Sequence, residues 1–290
     1  MEASNISVVI THYNDLEGLS ECIAAWGKQT VKPLEVIVVD DGSRSQLGLE
    51  VWKASFRYAF RLVCHPKNLG VPAAMNTGLR EVTGAYVHFA SCSDMPDRDF
   101  IKTFLPYIWP TPWGTGPLPL AIFARARWVD DRTGVEWTSK AGDLVSHAAV
   151  FRVDELKPFD EDLKWHCDWL AMKQSSAVPA FAHEIVKVIH LKRGQYSDVD
   201  RYGDENLDVL HNLIGRILDS PNRVIADAVE SSWLADFGLP AIIATFYHPL
   251  GRGFLDLNLV RRAAWRELEI LGRRYLPAWA QRLAIRLFMK

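Results

Sequence analysis

Four short polar stretches hold the residue types that could do chemistry: Thr11-His12-Tyr13-Asn14, Asp40-Asp41-Gly42-Ser43, His65-Pro66-Lys67-Asn68-Leu69-Gly70 and Ser91-Cys92-Ser93-Asp94. Each follows a short apolar run. Asp-Asp-Gly-Ser alone is an ordinary turn. Four such stretches meeting at one sheet edge would instead surround a crevice with carboxylates, amides and hydroxyls. Those groups suit a nucleotide whose base and ribose are read by polar contacts. Its diphosphate would be neutralised by a hard cation with oxygen ligands. Other chemistries lack their motifs. No G-x-G-x-x-G follows the first apolar run, and no phosphate-cradling G-x-x-x-x-G-K-[ST], H-E-x-x-H or G-x-S-x-G is present.

The elements that must position these residues are legible in the periodicity. Ile6-Ser-Val-Val-Ile10 and Glu35-Val-Ile-Val-Val-Asp40 are β-branched apolar runs and predict buried strands. Between them Leu16, Leu19, Ile23 and Trp26 recur at helical spacing behind an Asn14 or Asp15 cap. Residues 6–40 therefore read as a βαβ unit with a parallel pair. A helix over 49–60, a strand over 61–64, a helix over 73–82 and a strand over 85–90 continue the alternation. Pro72 stands at that second helix's start and Gly84 at its stop. The pattern predicts a mostly parallel sheet with helices on both faces, an α/β fold. Ligands of such sheets bind beyond the strands' carboxyl ends, where all four polar stretches fall.

Further along, five prolines between Pro106 and Pro119 predict a loop, and Leu120 to Trp128 an antiparallel strand. A turn follows at 130–134, then a helix over 163–177 and a strand over 185–191. From about 204 the pattern is helical. Residues 1–203 read as one α/β domain with a nucleotide-binding half (1–100) and an acceptor half (101–203). Residues 204–290 read as a helical extension. Its last 30 residues carry eight Arg and Lys against two Glu, interleaved with Leu, Tyr and Trp. That pattern fits a basic amphipathic helix lying on an anionic membrane, a helix packed on the protein body, or, more weakly, a nucleic-acid tail.

Composition bounds the answer. The 290 residues are 49% apolar and 23% charged, with a net charge of −2, so the chain is globular and carries no bulk signal for nucleic acid. The four cysteines are widely spaced and read as reduced thiols. The first residues lack a secretion signal's pattern, and no run of about 18 apolar residues predicts a membrane span. The expected location is cytoplasmic, with peripheral contact at the membrane's inner face.

Here the sequence resembles a family. Val8-Val-Ile-Thr-His-Tyr-Asn14, Glu35-Val-Ile-Val-Val-Asp-Asp-Gly-Ser43, Asn68-Leu-Gly70 with Asn76-Thr-Gly78, and Tyr86-Val-His-Phe-Ala-Ser-Cys-Ser-Asp94 are similar in order and spacing to the family 2 glycosyltransferases of GT-A fold. The resemblance implies a nucleotide-diphosphate-sugar donor, a divalent cation (Mn²⁺ or Mg²⁺) and transfer to a hydroxyl with inversion. It implies that Thr11 and Tyr13 flank the base, that Asp41 accepts a hydrogen bond from it, and that Asn68 and Asn76 hold ribose and phosphates. Ser93 joins that donor set, and Asp94 is the implied metal ligand. The family commonly reads Leu-Asp-x-Asp-Asp where this chain has Ala90-Ser91-Cys92-Ser93-Asp94, so two carboxylates are serines here. With one carboxylate left, free metal should bind weakly and need the nucleotide.

Phe159-Asp-Glu-Asp-Leu-Lys-Trp-His-Cys-Asp-Trp-Leu170 resembles the family's acceptor-side helix, which makes Asp168 the implied base. His190, with Lys192 and Arg193, is the implied contact to metal or diphosphate. The acceptor is a saccharide or a lipid-linked one, in polysaccharide or glycoconjugate synthesis. Two other readings are a non-catalytic nucleotide-sugar-binding scaffold on the same fold and a sugar-phosphate nucleotidyltransferase. The second wants a Gly-rich basic loop where Thr11-His-Tyr-Asn14 stands.

Overall fold

Strand β1 (Ile6–His12) is the axis of a sheet, and Ile6 through Ile10 are buried along it. A computed structural model describes residues 4–44, 59–92, 94–108, 118–131, 134–139, 146–161 and 180–191. Helix α1 (Leu16–Gly27) follows, capped by Asp15, whose Oδ1 accepts from the Gly18 N–H at 3.0 Å. Strands β2 (Glu35–Asp40) and β3 (Ala59–Cys64) come next. Helix α2 (Val71–Glu81) then leads into β4 (Tyr86–Ser91). Strand β2 is buried at every position. That explains its unbroken apolar run, since a parallel strand is covered on both faces.

β1 pairs in parallel with β2 (Val9 opposite Ile37) and with β4 (Val9 opposite Phe89), and β2 pairs in parallel with β3. The spatial order is β3-β2-β1-β4. The chain moves outward from β1 to β3, and α2 carries it back across to β4. The order thus reverses between β1 and β4, and in such sheets ligands bind in the crevice beyond the carboxyl ends at that point.

The remaining strands are short β5 (Asp94–Pro96), β6 (Ala121–Asp130), β7 (Val135–Thr138), β8 (Ala149–Arg152) and β9 (Ala180–Leu191). The sheet continues from β4 through β8, β6 and β9 to β5. These pairings are antiparallel: Val87 faces Phe151, Ile122 faces Val150 and Asp94 faces Ile189. Helices cover both faces, as alternation along β4 records. His88 packs against Trp26 of α1 and Phe100 of helix α3 (Phe100–Ile108). Phe89 points the other way, onto Phe151 and Phe159.

One expectation is corrected. The loop predicted from Pro106 starts later, because α3 continues to Ile108 with Pro106 inside it. Phe100, Ile101, Phe104 and Ile108 are all buried, and this apolar stripe outweighs a proline placed in a short helix's last turn. The predicted strand at 185–191 is longer, beginning at Ala180. The predicted helices at 49–60 and 163–177, the expected boundary at 203, and the 204–290 region lie outside the described residues. By contacts the chain divides into two units, residues 1–128 with 138–190 and residues 129–137 with 191–290. Among the described residues no helix is long and apolar enough to cross a membrane.

Candidate active site

The crevice is assembled by hydrogen bonds between the strand ends. The Asp41 N–H donates to the His12 carbonyl at 2.8 Å, carrying the β1–β2 ladder one step past the strands. Asn14 sits at φ 53°, a left-handed conformation that asparagine tolerates. Its N–H donates to Ser43 Oγ at 2.9 Å, and its Oδ1 accepts from the Arg44 N–H at 2.9 Å. The loop after β1 is therefore fixed to the loop after β2. Thr11 lies at the β1–β4 seam, with Oγ1 3.5 Å from the Ala90 carbonyl. Tyr13 projects from this framework with 46% of its surface exposed, and exposed Leu16 and Leu69 accompany it.

Asp41 organises the third stretch. Its Oδ1 accepts from the Leu69 N–H at 2.8 Å and pairs with His65 Nδ1 at 2.7 Å, while Oδ2 accepts from the Gly70 N–H at 2.8 Å. His65 reaches Thr77 of α2 through Nε2 at 2.9 Å. A buried carboxylate thus pins the loop carrying Asn68, and Asn68 itself is exposed. Gly42 makes this approach possible. It has φ +74°, and a Cβ there would lie 2.3 Å from the Lys67 carbonyl carbon.

Asn76 is engaged differently from the ribose- or phosphate-holding part expected of it. Its Nδ2 donates to the Phe159 carbonyl and to Glu161 Oε1, both at 2.8 Å, and its Oδ1 accepts from the Phe159 N–H at 2.8 Å. Its amide is spent tying residues 159–161 to α2. Phe159 opens the stretch that carries Asp168, but Asp168, Ser93, Lys192 and Arg193 lie outside the described residues. His190 is half-buried near the end of β9. The structure therefore brings Thr11, Tyr13, Asp41, Asn68 and Asp94 to the sheet's carboxyl edge. It sets Asn76 on the supporting helix.

Asp94 has neighbours that the sequence reading missed. Its Oδ2 accepts from Lys187 Nζ at 2.8 Å and from the Ser91 N–H at 3.2 Å, with His147 Nδ1 at 3.5 Å. The Lys187 side chain is fully buried and that of Asp94 is 1% exposed. Burial alone would raise the Asp94 carboxyl, but the Lys187 ammonium and His147 outweigh it and hold it well below the usual carboxylate range. Lys187 also contacts the His147 carbonyl at 2.7 Å and His88 Nε2 at 3.1 Å. Burial, then Lys187, pushes His88 well below its ordinary value, so the ring is neutral. One signal could have found Lys187: a lone charge inside Ile-Val-Lys-Val-Ile is buried in a strand and needs a partner.

The described cysteines are free thiols. Burial pushes the Cys92 thiol up to about 12, which makes it an inert group within the β4–β5 turn.

A four-stranded parallel half, an antiparallel half and a polar crevice at the reversal of strand order define a GT-A fold. The same fold is found in solved glycosyltransferases. Staphylococcus aureus TarS (residues 1–349) in complex with UDP-GlcNAc superposes with a TM-score of 0.58 at 19% identity, covering 95% of this chain and 83% of that one. A mannosyltransferase from Pyrobaculum calidifontis, in complex with GDP-Man and Mn²⁺, superposes at 0.53 with 17% identity, covering 100% and 81%. Residues 7–109 match the model of glycosyl transferase family 2. Glycosyltransferase GlyA of Streptococcus pneumoniae is 34% identical over 99 residues, 34% of this chain and 14% of that protein. An uncharacterized glycosyltransferase of Escherichia coli, YibD, is 24% identical over 263 residues, covering 79% and 74%. The chain spans only 14% to 27% of the first three curated relatives it matches.

Proposed function

We propose that this chain transfers a glycosyl group from a nucleotide-diphosphate-sugar to an acceptor hydroxyl. The observation that carries this reading is the meeting of Thr11, Tyr13, Asp41 and Asn68 with the β4–β5 turn at the sheet's point of reversal, within a family 2 segment. Tyr13 offers an exposed ring for the base, and Thr11 flanks it. Asp41 holds the Asn68 loop, and the base takes an acceptor position that its two oxygens still have beside the Leu69, Gly70 and His65 bonds. Asn68 and Ser93 meet ribose and phosphates, and one of His190, Lys192 and Arg193 meets the diphosphate. Asn76 serves by holding residues 159–161.

The transfer inverts the anomeric carbon. Asp168 takes the proton from the acceptor hydroxyl as its oxygen forms the new bond to that carbon. The bond from the carbon to the diphosphate oxygen breaks, and the nucleoside diphosphate leaves with the electron pair. Trp165 and Trp169 lie on either side of Asp168 in the sequence. The acceptor is a saccharide or a lipid-linked saccharide, and the basic 261–290 segment suits contact with an anionic membrane.

The test is release of nucleoside diphosphate from a panel of UDP-, GDP-, dTDP- and CMP-sugars, with wild type and Asp168→Asn. One donor is expected to be consumed by the wild type. The variant is expected to bind that donor equally and transfer at least 100-fold more slowly, a general-base loss of about 10²–10⁴. Consumption of no donor would refute the reading. An undiminished variant would refute the base assignment.

A further inference from the structure

Lys187 occupies an unusual place for an ammonium group. Its neighbours in β9 are apolar, its side chain is fully buried, and its three donors meet three acceptors. These are Asp94 Oδ2 on β5, the His147 carbonyl before β8, and His88 Nε2 on β4. His88 is locked as an acceptor, because its Nδ1 donates to the Ala149 carbonyl at 2.7 Å and its ring is wedged against Trp26 and Phe100. The ammonium therefore joins three strands of the sheet from beneath the β4–β5 turn, with no spare donor.

The turn itself hangs on the same carboxylate. The Ser91 N–H donates back to Asp94 Oδ2, closing the loop from the end of β4 to the start of β5. Asp94 is the sole acidic residue between Ala90 and Asp94. A magnesium- or manganese-type ion wants several oxygen ligands and a carboxylate whose negative charge is unmatched. Here the charge is already matched at 2.8 Å, and the side chain is 1% exposed. A divalent ion on Asp94 would sit beside a fixed ammonium that can neither move away nor turn its donors elsewhere. The described residues also contain no group of three acidic, His or Cys side chains that could hold a metal. The residues present do not fit the cation that the resemblance implies.

We propose that Lys187 is the built-in cation of this site, that Asp94 is its partner rather than a metal ligand, and that the chain binds its nucleoside diphosphate without a divalent cation. Lys187 is a positioning residue: sealed from solvent, it acts by fixing Asp94 and, through it, the turn at the mouth of the crevice. The proposal rests on the glycosyltransferase reading.

The test is calorimetric titration of the full chain with UDP, GDP and dTDP, in EDTA and again with millimolar Mn²⁺. The best-bound nucleotide is expected to change its Kd by less than threefold between the two conditions. Tightening of threefold or more with Mn²⁺ would overturn the proposal and leave the glycosyltransferase reading standing. Binding of no nucleotide under either condition would overturn both. Lys187→Met supplies a second readout. With the ammonium gone, Asp94 and the β4–β5 turn lose their anchor, and nucleotide binding in EDTA is expected to weaken at least threefold. A folded Lys187→Met that binds the nucleotide as tightly as the wild type would contradict the positioning role. If the variant does not fold, the wild-type titration alone decides.

Discussion

At the residue scale, this site is built by carboxylates and amides turned inward. Glu35 shows the principle away from the crevice. It accepts from Ser7 Oγ at 2.7 Å and from the Thr83 N–H at 2.6 Å, and it pairs with Arg61 at 2.5 Å. Burial would raise its carboxyl, but the hydrogen bonds of Ser7 and Thr83 and the Arg61 charge together hold it below its ordinary value. A carboxyl depressed in the fold stabilises it above the unfolded value of about 4.3 and loses that contribution as pH falls through the folded value. The urea midpoint should therefore drop as pH is lowered below about 4.3, and Glu35→Gln should flatten that part of the profile. At neutral pH the variant should be less stable by about 1.5–3 kcal/mol. A profile identical to wild type would remove Glu35 from the acid response. Asn76→Ala separates support from ligand contact. It should cost about 1–3 kcal/mol of stability, with the Phe159 amide groups left unpaired, while nucleotide Kd stays within twofold. A large loss of nucleotide affinity in a stable protein would return Asn76 to the binding surface.

At the element scale, the position of α2 is set by one glycine. A Cβ on Gly78 would lie 2.2 Å from Val9 Cγ1, so the helix rests directly on β1. Val9 sits two residues before Thr11, so displacing α2 disturbs the strand that presents the base-facing groups. Gly78→Ala should destabilise by about 1–3 kcal/mol through overpacking, read as a lowered denaturation midpoint. An unchanged midpoint would show that the contact relaxes without cost. Most of this layer is legible in the sequence. The β-branched runs at 6–10 and 35–40, the Asp15 cap and the Pro72 start give β1, α1, β2 and α2 directly. Helix α3 is not legible, because Pro106 argues against it and its stability comes from tertiary burial of Phe100, Ile101 and Phe104. The strand-end groups are equally legible, since a parallel sheet must deliver them to one edge. What periodicity cannot show is a partner about 90 residues away in sequence. The Lys187–Asp94 pair and the Asn76–Phe159 clasp emerge only from the sheet's antiparallel half and its packing on α2.

At the scale of the whole molecule, the proposed donor binding falls to the parallel half and the proposed acceptor chemistry to the segment beyond Phe159. The proposed membrane contact of the basic 261–290 segment has a separate test. Deleting residues 261–290 should move the protein from the membrane to the soluble fraction, and unchanged fractionation of a folded protein would set that part aside. The central claim is narrower: the nucleotide-sugar enters at the reversal point between β1 and β4. Hydrogen–deuterium exchange with and without the best-bound nucleotide-sugar tests it most directly. Slowed exchange is expected at residues 11–15, 41–44, 65–70 and 91–94, with strand interiors unchanged. Protection confined to other segments, with these four stretches unaffected by a bound donor, would contradict it.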